Sequence, residues 1–198
     1  GTFNGKWSDW DGKSDPAGTV YTEEMFDGAK QYADDVIAVM RDRNIFGGPA
    51  LGIEQRVEMP RIHELNFGTV DCFIYDSRLH ELFIWDYKFG YGVVEAFENW
   101  QSMNYAAGIF ELFKIDGVQD QPLKVNIRIA QPRAHHADGP IREWSCSGSD
   151  LRGYFNNLKL NAEISLGPNA KAQSGDHCKH CTGRHACDRA LRAGVQLF

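Results

Sequence analysis

The sequence lacks any apolar run that approaches the ~20 residues of a membrane-spanning helix. Its opening, GTFNGKWSDWDGK, also lacks the basic start and apolar stretch of a secretory leader. We therefore predict a soluble, cytoplasmic protein of a bacterial host, phage or prophage, with no membrane partner. An excess of positive charge is missing too, because 27 acidic residues outnumber 21 lysines and arginines. Bulk attraction to nucleic acid is excluded, so any contact with DNA would be local.

Cysteine is scarce, and its count is odd. Of the five cysteines, Cys178, Cys181 and Cys187 lie close together near the end of the sequence, which is unsuited to a secreted disulfide framework. Their spacing, C-x2-C-x5-C, allows thiolates to surround one soft metal centre. We therefore predict a reduced compartment and a metal-binding cysteine knuckle.

What is present suits one globular domain of 198 residues, 42% of them hydrophobic. We divide it into an irregular arm over residues 1–21, a core over 22–168 and the cysteine knuckle over 169–198. Hydrophobic periodicity predicts helices over residues 22–43, 93–114 and 149–164, and strands over residues 52–59, 69–75, 82–88 and 123–130. Their order along the chain is a helix, three strands, a helix, a strand and a helix. This order indicates an α/β fold with a central mixed sheet flanked by helices, whose last strand returns after a helical crossover.

Two acidic residues interrupt the apolar runs of the second and third predicted strands. Asp71 ends the run G-T-V-D, and Asp86 opens the run D-Y-K, which ends in Lys88 directly before a glycine-rich break. Side chains two apart on a strand share a face, and a hairpin would bring Asp71 beside the other two. Paired carboxylates repel each other unless a hard cation lies between them, and Mg²⁺ suits one or two carboxylates with water and phosphate. A lone D-x-K is also common at solvated strand ends.

These motifs resemble those of the PD-(D/E)XK nucleases, in particular the RecB-like branch of phage recombination exonucleases and CRISPR-associated RecB-type nucleases. The similarity covers about residues 50–190 and includes a Q-x-x-x-Y motif in the helix after the third strand. It implies a restriction-endonuclease-like core in which Asp71, Asp86 and the main-chain carbonyl of Tyr87 bind Mg²⁺ or Mn²⁺.

The same resemblance implies roles for the remaining motif residues. Lys88 would be the catalytic lysine. Gln101 and Tyr105 match the Q-x-x-x-Y motif and, as i and i+4 neighbours on one helix face, would contact the DNA strand. Glu54, in the first predicted strand, is a candidate ligand of a second metal or a supporting group, and a solvated strand edge is its alternative.

The sequence departs from the family pattern in its first predicted helix. Many RecB-like nucleases carry a His or Glu there, whereas this helix has no histidine, and Glu24 and Asp27 are weak substitutes. Because Gly1-Thr2 is not typical of a natural start, we expect either that the motif is absent or that the chain begins downstream of it.

The cysteine knuckle also has a counterpart in the RecB-like branch. There the triplet often holds a 4Fe-4S cluster together with a cysteine that precedes the first helix. That upstream cysteine is missing here, which leaves as candidate fourth ligands Cys146, Cys72, His177, His180 and His185. The resemblance favours an iron–sulfur origin, and Zn²⁺ held by the three cysteines with His180 or His185 is the alternative.

Two further features permit weaker interpretations. Residues 169–198 hold five lysines and arginines against two aspartates, and this local positive charge either meets DNA phosphates or is solvated. The adjacent His135 and His136 point in different directions, so we do not expect a metal site there.

Together these motifs imply a Mg²⁺-dependent deoxyribonuclease that hydrolyses phosphodiester bonds with metal-activated water. The resemblance favours an exonuclease of phage or prophage recombination or repair. Its expected partners are linear or single-stranded DNA and a recombination protein, and an oligomer is possible. The alternatives are a site-specific or structure-specific endonuclease and a catalytically incomplete DNA-binding module on a nuclease fold.

Overall fold

The structure is a computed structural model that describes residues 4–45, 50–115, 123–175, 177–178 and 181–189. The chain divides into two compact units, Gly1–Lys159 and Leu160–Phe198. The first unit contains the sheet and the predicted nuclease motifs, and the second contains the cysteine knuckle.

The first unit is an α/β fold with three helices and five strands in its described part. In chain order these are α1 Glu23–Asp42, β1 Ala50–Glu58, β2 Phe67–Asp76, β3 Glu81–Tyr87, α2 Trp100–Phe113, β4 Lys124–Ala130, β5 Ile141–Ser147 and α3 Gly148–Leu166, of which residues 148–159 belong to this unit. The strands form one sheet in the order β1-β2-β3-β4-β5, in which β3 and β4 are parallel and the other neighbours antiparallel. The predicted α/β fold with a central mixed sheet flanked by helices is confirmed.

Helix α1 covers one face of the sheet. Its first turn is capped by Thr22, whose hydroxyl accepts a hydrogen bond from the backbone N–H of Met25 at 3.2 Å. Its apolar stripe packs on a buried cluster of strand side chains that includes Cys72, Phe83 and Trp85. The indole of Trp85 donates to Asp35 of α1 at 2.7 Å, so the same face also carries a specific polar contact between helix and sheet.

Helix α2 covers the opposite face and provides the crossover from β3 to the parallel strand β4. It approaches β1 closely at Gly108, where an added Cβ would lie 2.7 Å from Val57. Phe110 of α2 meets Phe155 of α3 edge to face, with ring centroids 5.4 Å apart. The sheet is therefore buried on both faces at its centre, as the apolar runs of β3 and β4 indicate.

The prediction of a helix from residue 93 was wrong, since α2 begins at Trp100. Glu98 has a left-handed backbone, with φ of +49°, which an α-helix cannot contain. Asn99 then caps α2 by accepting from the N–H of Ser102 at 3.0 Å. Upstream, the N–H of Val94 donates to Gln131, which follows β4, and its carbonyl accepts from Arg142 of β5, so neither is available to a helix.

Strand β5 was missed by the sequence analysis. The side chains on either side of its central Trp144 are charged or polar, Arg142 and Glu143 before it and Ser145 after it, and this conceals the alternation that marks a strand. Arg142 is nevertheless buried, and Glu143 accepts from Arg128 of β4 at 2.6 Å. In β5, a charged pair with the neighbouring strand takes the place of the alternating apolar side chains by which a strand is usually recognised.

In the second unit, residues 160–166 complete α3, and the described residues that follow include turns and a short 3-10 helix, Arg184–Ala186. Among all described residues, no helix is both long enough and apolar enough to cross a membrane.

The β2–β3 hairpin is held by a buried aspartate at its turn. Asp76 accepts from the backbone N–H of Arg78 at 2.9 Å and from the guanidinium of Arg78 at 2.8 Å. These contacts, led by the side-chain bond to Arg78, hold the pKa of Asp76 below its usual value. The charged carboxylate therefore stabilises the fold above the pKa of Asp in the unfolded chain, and this stabilisation is lost as pH falls through the lowered, folded-state pKa.

We expect Asp76→Ala to reduce the free energy of unfolding at neutral pH by about 1–3 kcal/mol, because the buried turn donors lose their acceptor. Denaturant unfolding from neutral to acidic pH should show this difference shrinking as the wild-type carboxylate is protonated. Asp76→Asn, which keeps an acceptor oxygen without the charge, should retain part of the stability and lose the pH dependence. A difference that is constant with pH would contradict the assignment.

Candidate active site

Three acidic residues stand in one row across β1, β2 and β3. Cys72 pairs with Trp85, so the next step of the β2–β3 register sets Asp71 across from Asp86. In the β1–β2 ladder, Ile53 pairs with Cys72 and Gln55 with Val70, which sets Glu54 across from Asp71. The predicted pairing of Asp71 and Asp86 in a hairpin is therefore present, and Glu54 extends the row.

Asp86 and Lys88 form the central ion pair of the site. Asp86 is 1% exposed, and the ammonium of Lys88 donates to its Oδ1 at 3.1 Å. Oδ2 is buried and forms an ion pair with the same ammonium at 2.9 Å, although this contact lacks hydrogen-bond geometry. In the described part of the chain, Oδ2 has no other hydrogen-bond donor. Burial raises the pKa of Asp86, Lys88 opposes this rise, and the neighbouring Asp71 adds to it.

Asp71 is fixed by the backbone of the neighbouring strand. Its Oδ2 accepts from the N–H of Tyr87 at 2.6 Å, so the residue between Asp86 and Lys88 orients the opposite carboxylate. Because that oxygen is engaged, the other oxygen of Asp71 is the atom of this carboxylate that is left for a further ligand.

The two residues of the Q-x-x-x-Y motif join the site through one chain of hydrogen bonds. Gln101 accepts from the ammonium of Lys88 at 3.0 Å, and its amide nitrogen donates to the hydroxyl of Tyr105 at 2.9 Å. Gln101 is exposed and Tyr105 is half-buried, and they lie one turn apart on α2. The structure thus brings together Asp71, Asp86, Lys88, Gln101 and Tyr105.

Gly68 creates the space for Tyr105. A Cβ added at Gly68 would lie 2.6 Å from Cε1 of the tyrosine ring, closer than side chains pack. The glycine that opens the G-T-V-D run therefore has a geometric role: it lets the aromatic ring of α2 lie on strand β2.

The glycine-rich segment after Lys88 is held by two buried polar residues. Gln131 donates to the carbonyls of Gly90 and Gly92, at 2.9 and 2.8 Å. Its carbonyl oxygen accepts from Arg142 at 2.6 Å, and Arg142 donates to the carbonyl of Val94 at 2.7 Å. This network fixes the path of the chain between the end of β3 and the start of α2, and no local sequence pattern predicts it because it depends on the pairing of β5.

Glu54 is exposed and has an unusual backbone. Its φ is +47°, in the left-handed region that is costly for a non-glycine residue inside a strand. Gly52 and Val57 are both buried although they are an odd number of residues apart, so the strand changes the face it presents around Glu54. Glu54 is thus in the row of carboxylates, but its side chain does not join the hydrogen bonds among the other motif residues.

Tyr32 of α1 was not identified from the sequence. Its ring stacks on that of Tyr87, with centroids 5.4 Å apart. Burial is the main cause that raises the pKa of its hydroxyl, and Cys72, Asp71 and Glu54 add to the rise. Burial likewise raises the pKa of Cys72 to about 12, so that thiol is protonated and is a poor metal ligand.

The acidic pair fits a hard divalent cation. Two carboxylates and a nearby main-chain carbonyl are oxygen donors of the kind Mg²⁺ and Mn²⁺ prefer, and water and a phosphate can supply the remaining ligands. The carboxylates of Asp71 and Asp86 repel each other, and the ammonium of Lys88 balances one of these two charges, so the excess of negative charge favours a cation there. Within the described ranges no cluster of three or more His, Cys, Asp or Glu side chains has a metal-site arrangement, so a fully protein-built cage is not formed at this row.

The cysteine knuckle lies in the second unit. Cys178 is buried and accepts from the N–H of Gly175 at 3.4 Å, Cys187 is half-buried, and Cys181 is exposed. In the described part of this unit the three sulfurs do not form a metal-site arrangement, and His180 lies outside the described residues, as do Lys179 and Arg192 of the basic segment. The 4Fe-4S or Zn²⁺ centre stays a prediction.

Comparison with known protein families covers nearly the whole chain. The family described as "Protein of unknown function (DUF2800)" matches residues 3–197. The chain belongs to this family. No curated protein matches it. For this DUF2800 member, the geometry of the carboxylate row therefore carries the functional argument.

We expect Gly68→Ala to displace the Tyr105 ring and to lower the free energy of unfolding by about 1–3 kcal/mol, as other overpacking changes do. Thermal unfolding of a double-mutant cycle tests this, because the cost should shrink when Tyr105 is Ala. Gly90→Ala is the matched control, since a Cβ added there meets no atom within 4 Å. If Gly68→Ala lowered the free energy of unfolding equally with and without the Tyr105 ring, the proposed contact between Gly68 and Tyr105 would be contradicted.

We expect Mg²⁺ or Mn²⁺ to raise the melting temperature of this DUF2800 protein, because a cation that binds only the folded state stabilises it. Asp71→Asn and Asp86→Asn should each abolish the increase. Asp76→Asn serves as control, since Asp76 lies in the same strand as Asp71 but at the turn end, paired with Arg78. An increase that survives in Asp86→Asn would place the metal elsewhere.

Proposed function

We propose that this protein is a divalent-metal-dependent deoxyribonuclease of the PD-(D/E)XK type. The single observation that carries the proposal is the convergence of Asp71, Asp86 and Lys88 at the end of β3, with Gln101 bonded to the lysine. Four motif residues that are separated in sequence share one hydrogen-bonded site, in the order that the RecB-like pattern requires.

Each side chain has a chemical task in this proposal. A cation held by Asp71, Asp86 and the Tyr87 carbonyl would supply an activated water and neutralise charge on the phosphate. Lys88 keeps an ammonium beside the buried carboxylate, where it stabilises negative charge that develops on the phosphodiester. Gln101 holds this ammonium in place, and Tyr105 holds Gln101, so the pair orients the lysine as well as facing the strand.

Within this class we favour an exonuclease of phage or prophage recombination or repair, acting on linear DNA in the cytoplasm. This preference is supported by the resemblance to the RecB-like branch, together with the C-terminal cysteines that this branch also carries. A cluster of 4Fe-4S type, or Zn²⁺, bound by Cys178, Cys181 and Cys187 belongs to the same proposal. A recombination partner and an oligomer would be consistent with it.

The test is hydrolysis of end-labelled linear DNA and of covalently closed circular DNA in Mg²⁺ or Mn²⁺. Wild type should degrade the linear substrate, and Lys88→Ala should reduce the rate by roughly 100-fold or more, since one electrostatic group at the reacting centre has an effect of this order. Lys124→Ala is the matched control, because Lys124 begins the adjacent parallel strand β4, across from the start of β3. It should cleave as wild type does.

The other outcomes separate the alternatives. Cleavage of the circular DNA would identify an endonuclease. Binding of DNA without hydrolysis of either substrate, in both metals, would identify a binding module and contradict the enzymatic proposal. Equal rates for Lys88→Ala and wild type would show that any hydrolysis comes from another site.

A further inference from the structure

Four aromatic side chains form a row beside the candidate active site. Phe97 meets Trp144 at a centroid distance of 5.6 Å, Trp144 meets Tyr154 at 6.1 Å, and Tyr154 meets Trp100 at 5.7 Å. All three contacts are edge to face, which is a favourable arrangement for aromatic rings. The rings come from the segment before α2, from α2 itself, from β5 and from α3.

The two ends of this aromatic row are open to solvent. Phe97 is 65% exposed and Trp100 is 49% exposed, whereas the two central rings are half-buried. The row is also fixed in place, because the hydroxyl of Tyr154 donates to Glu98 at 2.5 Å, next to Phe97. Large aromatic surfaces that are rigid and exposed are typical of binding sites.

One ring of the aromatic row is next in sequence to a residue of the site. Trp100 is the first residue of α2, and the next residue, Gln101, accepts from the ammonium of Lys88. A strand bound along the first turn of α2 would meet Gln101 and the exposed rings of Trp100 and Phe97.

Charge at the aromatic row favours bases over phosphates. The acids nearest in sequence, Glu95 and Glu98, would repel a phosphate backbone, whereas the faces of aromatic rings attract nucleobases by stacking. In a duplex the base faces are covered by their neighbours, so only unpaired bases can use such rings. The contact therefore discriminates between single strands and paired DNA.

We infer that Phe97 and Trp100 form a stacking platform for unpaired bases of a DNA strand entering the site, an inference that rests on the proposed nuclease function. Single-stranded DNA, or the frayed end of a linear duplex, is then the preferred substrate class. The phosphate to be hydrolysed lies at the carboxylate pair, and the adjacent bases lie on the two rings.

Binding without turnover tests the platform. Fluorescence anisotropy in EDTA would compare a labelled oligothymidylate of about 20 nucleotides with a hairpin duplex whose ends are closed. We expect Trp100→Ala and Phe97→Ala each to raise the Kd for the single strand roughly tenfold, in the range of lost base stacking. The Kd for the duplex should not change, and Trp100→Phe, which keeps a ring, should bind nearly as wild type.

Trp10→Ala is the matched control. Trp10 is 41% exposed and also packs edge to face on a tyrosine, Tyr21, at 5.5 Å, but it lies in the N-terminal arm. It should bind both DNAs as wild type does. Phe97, which lies outside the helices and strands, keeps the test valid if Trp100→Ala fails to fold.

The outcomes are distinct. Unchanged single-strand affinity in both Phe97→Ala and Trp100→Ala, or equal weakening for both DNAs, would overturn the platform. A wild-type oligomer that dissociates in Phe97→Ala, with DNA affinity unchanged, would overturn it in favour of a protein interface. If the ring variants lose single-strand affinity as expected but wild type hydrolyses no DNA in Mg²⁺ or Mn²⁺, the platform is supported and the nuclease proposal fails.

Discussion

The register between β2 and β3 is the constraint on which the rest of the site depends. It sets Asp71 across from Asp86, in a place where Asp86 is almost fully buried and burial raises its pKa. Two carboxylates in such surroundings oppose each other, and the fold offsets this with Lys88 and with the backbone N–H of Tyr87. A one-residue slip would turn these side chains to the other face of the sheet, and the site would be lost.

The surrounding structure positions the side chains that lie next to this pair. Helix α2 lies close to the sheet because two glycines, Gly68 of β2 and Gly108 of α2, add no side chain at the contact, and this proximity lets Gln101 reach Lys88. The segment that joins β3 to α2 is not helical, and buried Gln131 and Arg142 hold it instead. The exposed aromatic rings are at the end of this segment, so the same architecture positions both the acids and the proposed base platform.

Much of the fold was predictable from the sequence because its central strands are almost purely apolar and its first helix has a clear cap. The motif residues were also predictable, since D-x-K and Q-x-x-x-Y are defined by short spacings. What the sequence concealed depends on tertiary pairing. The polar sequence of β5 does not indicate that Arg142 is buried, and no local sequence pattern indicates the left-handed backbone of Glu54. Tyr32 stacks on Tyr87 only because α1 packs on the sheet.

Anomalous diffraction from crystals of the wild-type protein soaked in Mn²⁺ would show directly whether Asp71 and Asp86 bind a divalent cation. We expect one strong peak between the two carboxylates, within ~2.0–2.3 Å of an oxygen from each, and no such peak in Asp86→Asn. A well-ordered pair of carboxylates with no Mn²⁺ between them, at a concentration that saturates any thermal stabilisation, would contradict this expectation.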